Sequence, residues 1–230
     1  MELIRIKSVF PSNEYAPTWD IPMHISEWND YAKIDRIRNF LIDKEKEILS
    51  LPVGKGDGRT GLGLDSVTSK YGMYSLFEFE NELPELTELL MFLRINYLNF
   101  VSRNQTLIRD CFIVSWYNVV RDGQGIEKHF HNAGHNGYLS GNMHLDDYQT
   151  TTNYYIPFDE DVVHKFNNQK GGVTMFPSYL PHDVNKHNSS DLRISIGFDL
   201  HLTYPSNLKA IPFMNTEILN LLGTPDLRIL

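Results

Sequence analysis

The residues with the clearest chemical potential are histidines, of which the chain contains nine, four of them between His129 and His144. The segment Lys128-His129-Phe130-His131 places two imidazoles two positions apart. If it is a strand, both side chains point to the same face, because successive side chains alternate. Two imidazoles so placed are able to chelate a divalent metal, although the same pattern also occurs without function on solvated strands.

A third histidine, His182, follows the turn formed by residues 177–181, which comes after a glycine-led apolar run. Turns that deliver a polar residue to the mouth of a barrel are common functional placements. A lone histidine there is more often a surface or capping residue. The importance of His182 therefore depends on what the other strands bring.

Residues 192–199 alternate between two kinds of side chain, which predicts a strand with one wholly apolar face. Arg193, Ser195 and Gly197 share the opposite face, which we expect to line the inside of a barrel. A buried guanidinium needs an anionic partner, and a carboxylate ligand matches its forked geometry. An internal ion pair with an Asp or Glu side chain explains the arginine equally well.

The elements that must position these residues change in character near residue 105. Before it, residues 2–9 alternate like a strand, residues 25–51 and 84–102 show helical spacing of apolar side chains, and residues 53–70 hold five glycines and are predicted to be loop-rich. After it, short runs of β-branched and aromatic residues are separated by turns, at 107–120, 126–131, 138–145, 152–158, 172–177, 182–186 and 192–203. This order predicts a mainly β fold with N-terminal helices, in which a sandwich or jelly-roll barrel is backed by helices.

The composition excludes several function classes. The chain has 21 Lys and Arg against 29 Asp and Glu, a formal charge of −8, so we expect no nucleic-acid partner. A single cysteine, Cys111, excludes a disulfide framework and a multi-cysteine zinc site. No apolar run is long enough to span a membrane and the N-terminus lacks a signal-peptide core, so we expect a cytoplasmic protein. The sequence does not indicate the oligomeric state.

Taken in order, these motifs resemble the Fe(II)- and 2-oxoglutarate-dependent oxygenases, and within them a bacterial and phage branch that is prolyl-hydroxylase-like. The resemblance covers roughly residues 105–203 and is carried by Trp116-Tyr117-Asn118, His129-Phe130-His131, Leu139-Ser140-Gly141, the segment from Phe176 to His182, and Arg193-Ile194-Ser195. It implies a double-stranded β-helix, the jelly-roll or cupin-like barrel of that superfamily. It also implies one oxygenase domain over residues 1–230, with helical support and a lid loop in 1–104, the β-helix core in 105–203 and a tail in 204–230.

The resemblance also implies roles for particular residues. Fe(II) is the expected metal, with His129 and His182 as ligands, and 2-oxoglutarate is the expected co-substrate. Arg193, helped by Ser195, is expected to bind the far carboxylate of 2-oxoglutarate, and the further candidates for contact with this co-substrate are His144 and Asn118. His135 is expected to face solvent, and the glycine-containing segment 53–80 is expected to act as a lid or to form an ordered surface loop.

The sequence departs from the superfamily at the second ligand position. The wider superfamily has His-x-Asp or His-x-Glu, whereas this chain has His131. Either His131 binds the metal, giving a three-histidine site, or another group supplies a carboxylate. Asp146 and Asp147 are the nearest carboxylates after the histidine strand, and Asp183 adjoins His182 but would point to the opposite face. We favour His131.

The function that follows is a dioxygenase, which we expect to hydroxylate a peptide side chain or a small molecule with release of succinate and CO2. Two alternatives stay open. One is a three-histidine cupin-type dioxygenase that does not use 2-oxoglutarate. The other is a non-enzymatic jelly-roll module for structure or binding, which leaves the shared face of Arg193 and Ser195 unexplained.

Overall fold

Two antiparallel sheets and a layer of helices make up the part of the chain that the structure describes. This computed structural model describes residues 1–8, 13–52, 54, 56–134 and 136–223. The helices are α1 (Tyr31–Leu49), α2 (Glu85–Arg103) and α3 (Thr216–Leu221), with short 3-10 helices at Val67–Lys70 and Leu76–Phe79. In chain order the strands are β1 (Glu2–Lys7), β2 (Asp20–Glu27), β3 (Cys111–Val120), β4 (Ile126–His129), β5 (Leu139–His144), β6 (Thr151–Ile156), β7 (Asp159–Asn167), β8 (Gly172–Pro177), β9 (His182–Val184), β10 (Arg193–His201) and β11 (Ile211–Met214).

The larger sheet has the strand order β1-β2-β8-β5-β10-β3-β11, and the smaller sheet has the order β4-β9-β6-β7. The sheets pack face to face, since Tyr154 of β6 belongs to the same buried cluster as Met23 of β2 and Phe176 of β8. The Tyr154 hydroxyl also shares a 2.8 Å hydrogen bond with the hydroxyl of Thr174 on β8. No strand pairing joins the two sheets among the described residues, so they form opposed layers and not a continuously hydrogen-bonded barrel.

The helices cover the outer face of the larger sheet because both layers present apolar side chains there. Ile194, Ile196 and Phe198 of β10 are fully buried in the same cluster as Ile37 of α1 and Leu93 of α2. Area removed from water at such positions supplies most of the stabilisation, roughly 25 cal/mol per Å² of apolar surface. The opposite face of β10 is left to polar residues and points toward the smaller sheet.

Both long helices begin where the sequence provides a start signal. The Asp30 carboxylate accepts a 3.2 Å hydrogen bond from the Lys33 N–H and caps α1. Helix α2 follows Pro84 and has Glu85 and Glu88 in its first turn, where negative charge is favourable. Among the described residues, neither these helices nor any other combines the length and apolar character needed to cross a bilayer.

The sequence-based elements agree with most of this arrangement. The helix predicted over 84–102 is confirmed as α2, and each of the seven predicted strand runs after residue 105 overlaps one of the observed strands. The helix predicted over 25–51 is wrong at its start, because residues up to Glu27 belong to β2 and α1 begins at Tyr31. The N-terminal part therefore contributes two strands to the larger sheet as well as helices.

Strands β2, β7 and β11 are absent from the prediction for physical reasons. β7 and β11 are edge strands, where charged residues and proline are tolerated and apolar alternation is weak. β7 reads DEDVVHKFN and β11 reads IPFM, the latter within the segment 204–230 that was predicted as a tail. β2 contains Pro22, which weakens its strand signal.

We expect Leu93→Ala to lower the free energy of unfolding by about 2–5 kcal/mol, because it leaves a cavity between α2 and the larger sheet. The control is Ile95→Ala on the same helix, where the side chain is 42% exposed and the loss should stay within about 1 kcal/mol. Urea denaturation followed by circular dichroism measures both. Equal losses would contradict the packing of α2 described here.

Candidate functional site

Three histidines meet at one end of the gap between the sheets. His129 ends β4 and His182 begins β9, and the two residues are direct partners in the pairing of these strands. His131 lies two residues further on, and one nitrogen from each ring lies within 4.8 Å of the others. In the described part of the chain, this is the only group of three or more His, Cys, Asp or Glu side chains close enough to hold a metal ion.

A short hydrogen-bonded link holds the two histidine-bearing segments together. The carbonyl of Ser178, in the turn before His182, accepts hydrogen bonds from the N–H groups of His131 at 2.9 Å and Asn132 at 3.0 Å. The Ser178 hydroxyl donates in turn to the Asn132 carbonyl at 2.8 Å. The turn that precedes His182 therefore also fixes the backbone that carries His131.

Each of the three rings has an acceptor at Nδ1. His129 Nδ1 lies 2.7 Å from the Glu127 carbonyl and His182 Nδ1 lies 3.0 Å from the Leu180 carbonyl. His131 Nδ1 lies 2.6 Å from Oδ1 of Asp199. An acceptor at Nδ1 fixes the tautomer that carries its proton there, which leaves Nε2 with a lone pair for a metal.

Burial keeps two of these imidazoles neutral near pH 7. Burial, together with the positive charge of His131, lowers the pKa of His129 to about 4. Burial and the neighbouring charges of His129 and His131 hold the pKa of His182 well below its usual value. Metal ligation requires unprotonated imidazole, so His129 and His182 are in the form that binds a metal at neutral pH.

Asp199 is the functional-site residue that the sequence reasoning missed. It lies on β10 opposite Ser140 of β5, and its Oδ1 accepts a 2.6 Å hydrogen bond from the Ser140 hydroxyl as well as facing His131. Burial alone would raise the pKa of Asp199, but the charge and hydrogen bond of His131 and the hydrogen bond of Ser140 outweigh it and lower that pKa. The signal was present in the sequence, since Asp199 continues the alternation that places Arg193, Ser195 and Gly197 on the inner face.

The carboxylates considered from sequence have other partners. Asp146 pairs with Arg38 of α1 and accepts a 2.7 Å hydrogen bond from the Ile194 N–H. Asp183 accepts hydrogen bonds from the Asn153 side-chain amide at 2.6 Å and from a tyrosine hydroxyl. Neither carboxylate belongs to the three-histidine group.

Arg193 lies deeper between the sheets and lacks a counter-ion. It is 2% exposed, and among the described residues it forms no ion pair, so the internal salt bridge considered from sequence is not found. Its Nη1 lies 3.4 Å from the Thr150 hydroxyl, whereas Nε and Nη2 are buried without a hydrogen-bond partner. Burial lowers the pKa of Arg193 to about 10. A buried guanidinium with two unpaired donors fits a site for an anion.

The other residues predicted to contact the co-substrate surround Ser195. Ser195 pairs with Asn118 on β3 and with His144 on β5, which places all three side by side on the inner face. The Asn118 amide donates to the Ser195 hydroxyl at 3.3 Å and accepts from Thr68 at 2.7 Å. His144 is buried, and its Nδ1 has no hydrogen-bond partner.

The glycine-containing segment supplies part of the wall around the histidines. A cavity of about 80 Å³ touches His129, His131 and Asp199, and its other lining residues are Gly58, Thr60, Thr68, Tyr71, Trp116 and Phe130. Trp116 packs with its ring centroid 5.7 Å from that of His131. Its indole fits there because residue 197 is glycine, where an added Cβ would lie 2.7 Å from the Trp116 ring. His135 lies outside the described residues.

Comparisons with known proteins agree with these features. Residues 114–199 match the family model described as "Putative 2OG-Fe(II) oxygenase", and this range contains His129, His131, His182 and Arg193. No curated protein matches the sequence. The match supports the resemblance to the 2OG-Fe(II) oxygenases that was stated from the sequence. That family implies Fe(II) and 2-oxoglutarate as cofactor and co-substrate.

Solved structures show the same fold at low sequence identity. A prolyl-4-hydroxylase from Pseudomonas putida aligns with a TM-score of 0.51 and 10% identity, covering 79% of this chain and 88% of its own. The carbocyclase SnoK from nogalamycin biosynthesis, described as non-heme and alpha-ketoglutarate-dependent, aligns with a TM-score of 0.53 and 11% identity, covering 89% and 86%. The predicted fold class, a double-stranded β-helix backed by helices, is therefore confirmed, without detected closure of the barrel.

The burial of His144 predicts a pH dependence of stability. Burial and the charge of Arg193 lower the pKa of His144 to about 3, against about 6.5 in an unfolded chain. Between these values the unfolded chain binds a proton that the folded chain does not, so the free energy of unfolding falls as the pH falls. We expect the difference in this free energy between wild type and His144→Gln to shrink by roughly 3 kcal/mol from pH 7 to pH 4. Urea denaturation at each pH measures it, and parallel pH curves would contradict the assignment.

Proposed function

We propose that this chain is an Fe(II)- and 2-oxoglutarate-dependent hydroxylase acting on a peptide side chain or a small molecule. In this proposal His129, His131 and His182 hold the iron, and Arg193 binds the far carboxylate of 2-oxoglutarate with Ser195, His144 and Asn118 around it. The observation that carries the proposal is the cluster of three imidazoles beside Asp199, together with a buried, unpaired Arg193 on the same face of β10 as Asp199. We propose a single oxygenase domain over residues 1–230.

The donor sets fit the two groups that the family implies. Imidazole nitrogen is a suitable ligand for iron, and His129, His131 and His182 would hold it. The unpaired N–H groups of Arg193 suit the planar geometry of a carboxylate, which also compensates the cost of burying the guanidinium. Bound together, iron and 2-oxoglutarate would supply the activation of oxygen, with conversion of 2-oxoglutarate to succinate and CO2.

The chain's own contribution is to bind, orient and exclude water. Arg193, whose position is fixed by β10, would bind one carboxylate of the co-substrate. The Asn118 amide donates a hydrogen bond to the Ser195 hydroxyl and so holds Ser195 in place on the same face of β10. Thr60, Thr68 and Tyr71 close the wall next to the histidines and limit the entry of water. The movement of the 53–80 segment as a lid stays a prediction.

An open groove beside His129 supports an apolar substrate. Its volume is about 570 Å³, and Arg59 and Lys128 line it together with five aromatic side chains: Trp19, Phe130, Tyr155, Phe158 and Tyr179. Phe158 is 94% exposed and has a φ of 65°, a strained conformation for a residue with a side chain. Exposed aromatic side chains next to a candidate metal site suit a peptide or an apolar small molecule.

Arg193→Ala tests the co-substrate site. We expect wild-type protein loaded anaerobically with Fe(II) to develop a visible charge-transfer band with 2-oxoglutarate. The variant should weaken the binding of 2-oxoglutarate by roughly 100-fold or more, because it removes the charge that is paired on binding. Arg121→Ala is the matched control, since Arg121 pairs with Glu45 on the surface.

The same titration separates the alternatives. Bound iron without any band in the wild type would favour a three-histidine dioxygenase that does not use 2-oxoglutarate. Absence of bound iron would favour a non-enzymatic module.

His182→Ala tests the metal site. Removing one of three ligands should abolish stoichiometric Fe(II) binding and, with it, the succinate formed from 2-oxoglutarate. His164→Ala, on β7 outside the histidine cluster, is the control and should retain both. Metal analysis after desalting and a succinate assay provide the measurements. Succinate formation that persisted in both His182→Ala and Arg193→Ala would contradict the proposed function.

A further inference from the structure

The set of three histidines lacks the negative charge that a ligating carboxylate brings to a metal. Neutral imidazoles leave the full charge of a divalent ion uncompensated at the site. In this chain a carboxylate nevertheless lies directly behind His131, the residue that stands where the superfamily has Asp or Glu. Asp199 Oδ1 is 2.6 Å from Nδ1 of His131. The carboxylate reaches this place from β10, the strand that also carries Arg193.

The environment of Asp199 gives its carboxylate no other evident role. Among the described residues it forms no ion pair with a lysine or arginine, and its ionic partner is the His131 ring. The Ser140 hydroxyl donates to the same Oδ1 at 2.6 Å and holds the carboxylate in this orientation. Trp116 packs near the His131 ring, which leaves that ring little freedom to rotate.

We propose that Asp199 is a positioning residue that orients His131 toward the metal and supplies the negative charge that the three imidazoles lack. The inference rests on the metal site of the proposed function and adds a residue to it. Hydrogen bonding to Nδ1 fixes the ring with Nε2 toward the ion and increases the basicity of that nitrogen. The carboxylate acts through His131 and not by direct ligation.

The first experiment measures Co(II) binding to the full-length protein by visible absorption, which requires neither 2-oxoglutarate nor turnover. We expect Asp199→Ala to raise the dissociation constant for Co(II) by about 10- to 100-fold. Asp199→Asn keeps an acceptor for His131 but removes the charge, so its effect should be smaller than that of Asp199→Ala. The matched control is Asp183→Asn, a carboxylate that adjoins His182 but bonds to Asn153. It should stay within about twofold of wild type.

A spectroscopic measurement separates this role from a purely structural one. In the anaerobic Fe(II) complex with 2-oxoglutarate, loss of the nearby negative charge makes the metal harder to oxidise. Asp199→Asn should therefore shift the metal-to-ligand charge-transfer band to shorter wavelength, whereas Asp183→Asn should leave it in place. A variant with reduced thermal stability but an unshifted band and unchanged Co(II) affinity would overturn the inference.

A double variant tests the charge argument directly. His131→Asp alone brings a second carboxylate close to Asp199, and like charges disfavour each other at this distance. Adding Asp199→Asn to His131→Asp removes that repulsion. We expect the double variant to bind Co(II) more tightly than His131→Asp alone, although Asp199→Asn weakens binding in the wild-type background.

The outcomes are distinguishable from failure of the proposed function. The role of Asp199 would be overturned if the effects of His131→Asp and Asp199→Asn on Co(II) affinity were additive in the double variant. Equal effects of Asp199→Asn and Asp183→Asn on that affinity would also overturn it. Either result would leave the metal site intact. Wild-type protein that bound no Co(II) would overturn the metal site itself.

Discussion

The two-residue period of strand β10 is the constraint on which the rest of the structure depends. One face carries Ile194, Ile196 and Phe198, which are buried against the helices and fix the strand in the molecule. The other face must then present its polar residues toward the smaller sheet. Arg193 at the start of the strand and Asp199 near its end therefore have fixed places, one buried without a counter-ion and the other beside the histidines.

The neighbours of β10 extend this constraint across the sheet. Ser195 lies between Asn118 and His144 because antiparallel pairing brings β3 and β5 into register on either side. Gly197 leaves space for the indole of Trp116, which then packs near His131. The scaffold does not decide the reaction, since structures with this fold include a prolyl-4-hydroxylase and a carbocyclase.

The fold and most residues of the candidate site could be predicted from the sequence because the relevant signals are local. Alternation in β10, two histidines at i and i+2, and a Pro-bracketed turn before His182 each depend on a few neighbouring residues. The edge strands β7 and β11 were not predicted from the sequence, because strands at the edge of a sheet do not require apolar alternation. The contact between Asp199 and His131 could not be predicted for another reason. The two residues are distant in sequence and meet only through the packing of the two sheets.

The hydrogen bonds between Ser178 and residues 131–132 affect the free energy of metal binding at the candidate site. Three backbone and hydroxyl hydrogen bonds tie the segment of His131 to the turn before His182. The loss of chain entropy needed to bring these segments together thus occurs during folding and does not subtract from the affinity for the ion. In this respect the protein differs from small zinc domains, in which the metal itself drives folding. A metal ion bound by the three histidines would meet ligands whose backbone is already held in place by these hydrogen bonds.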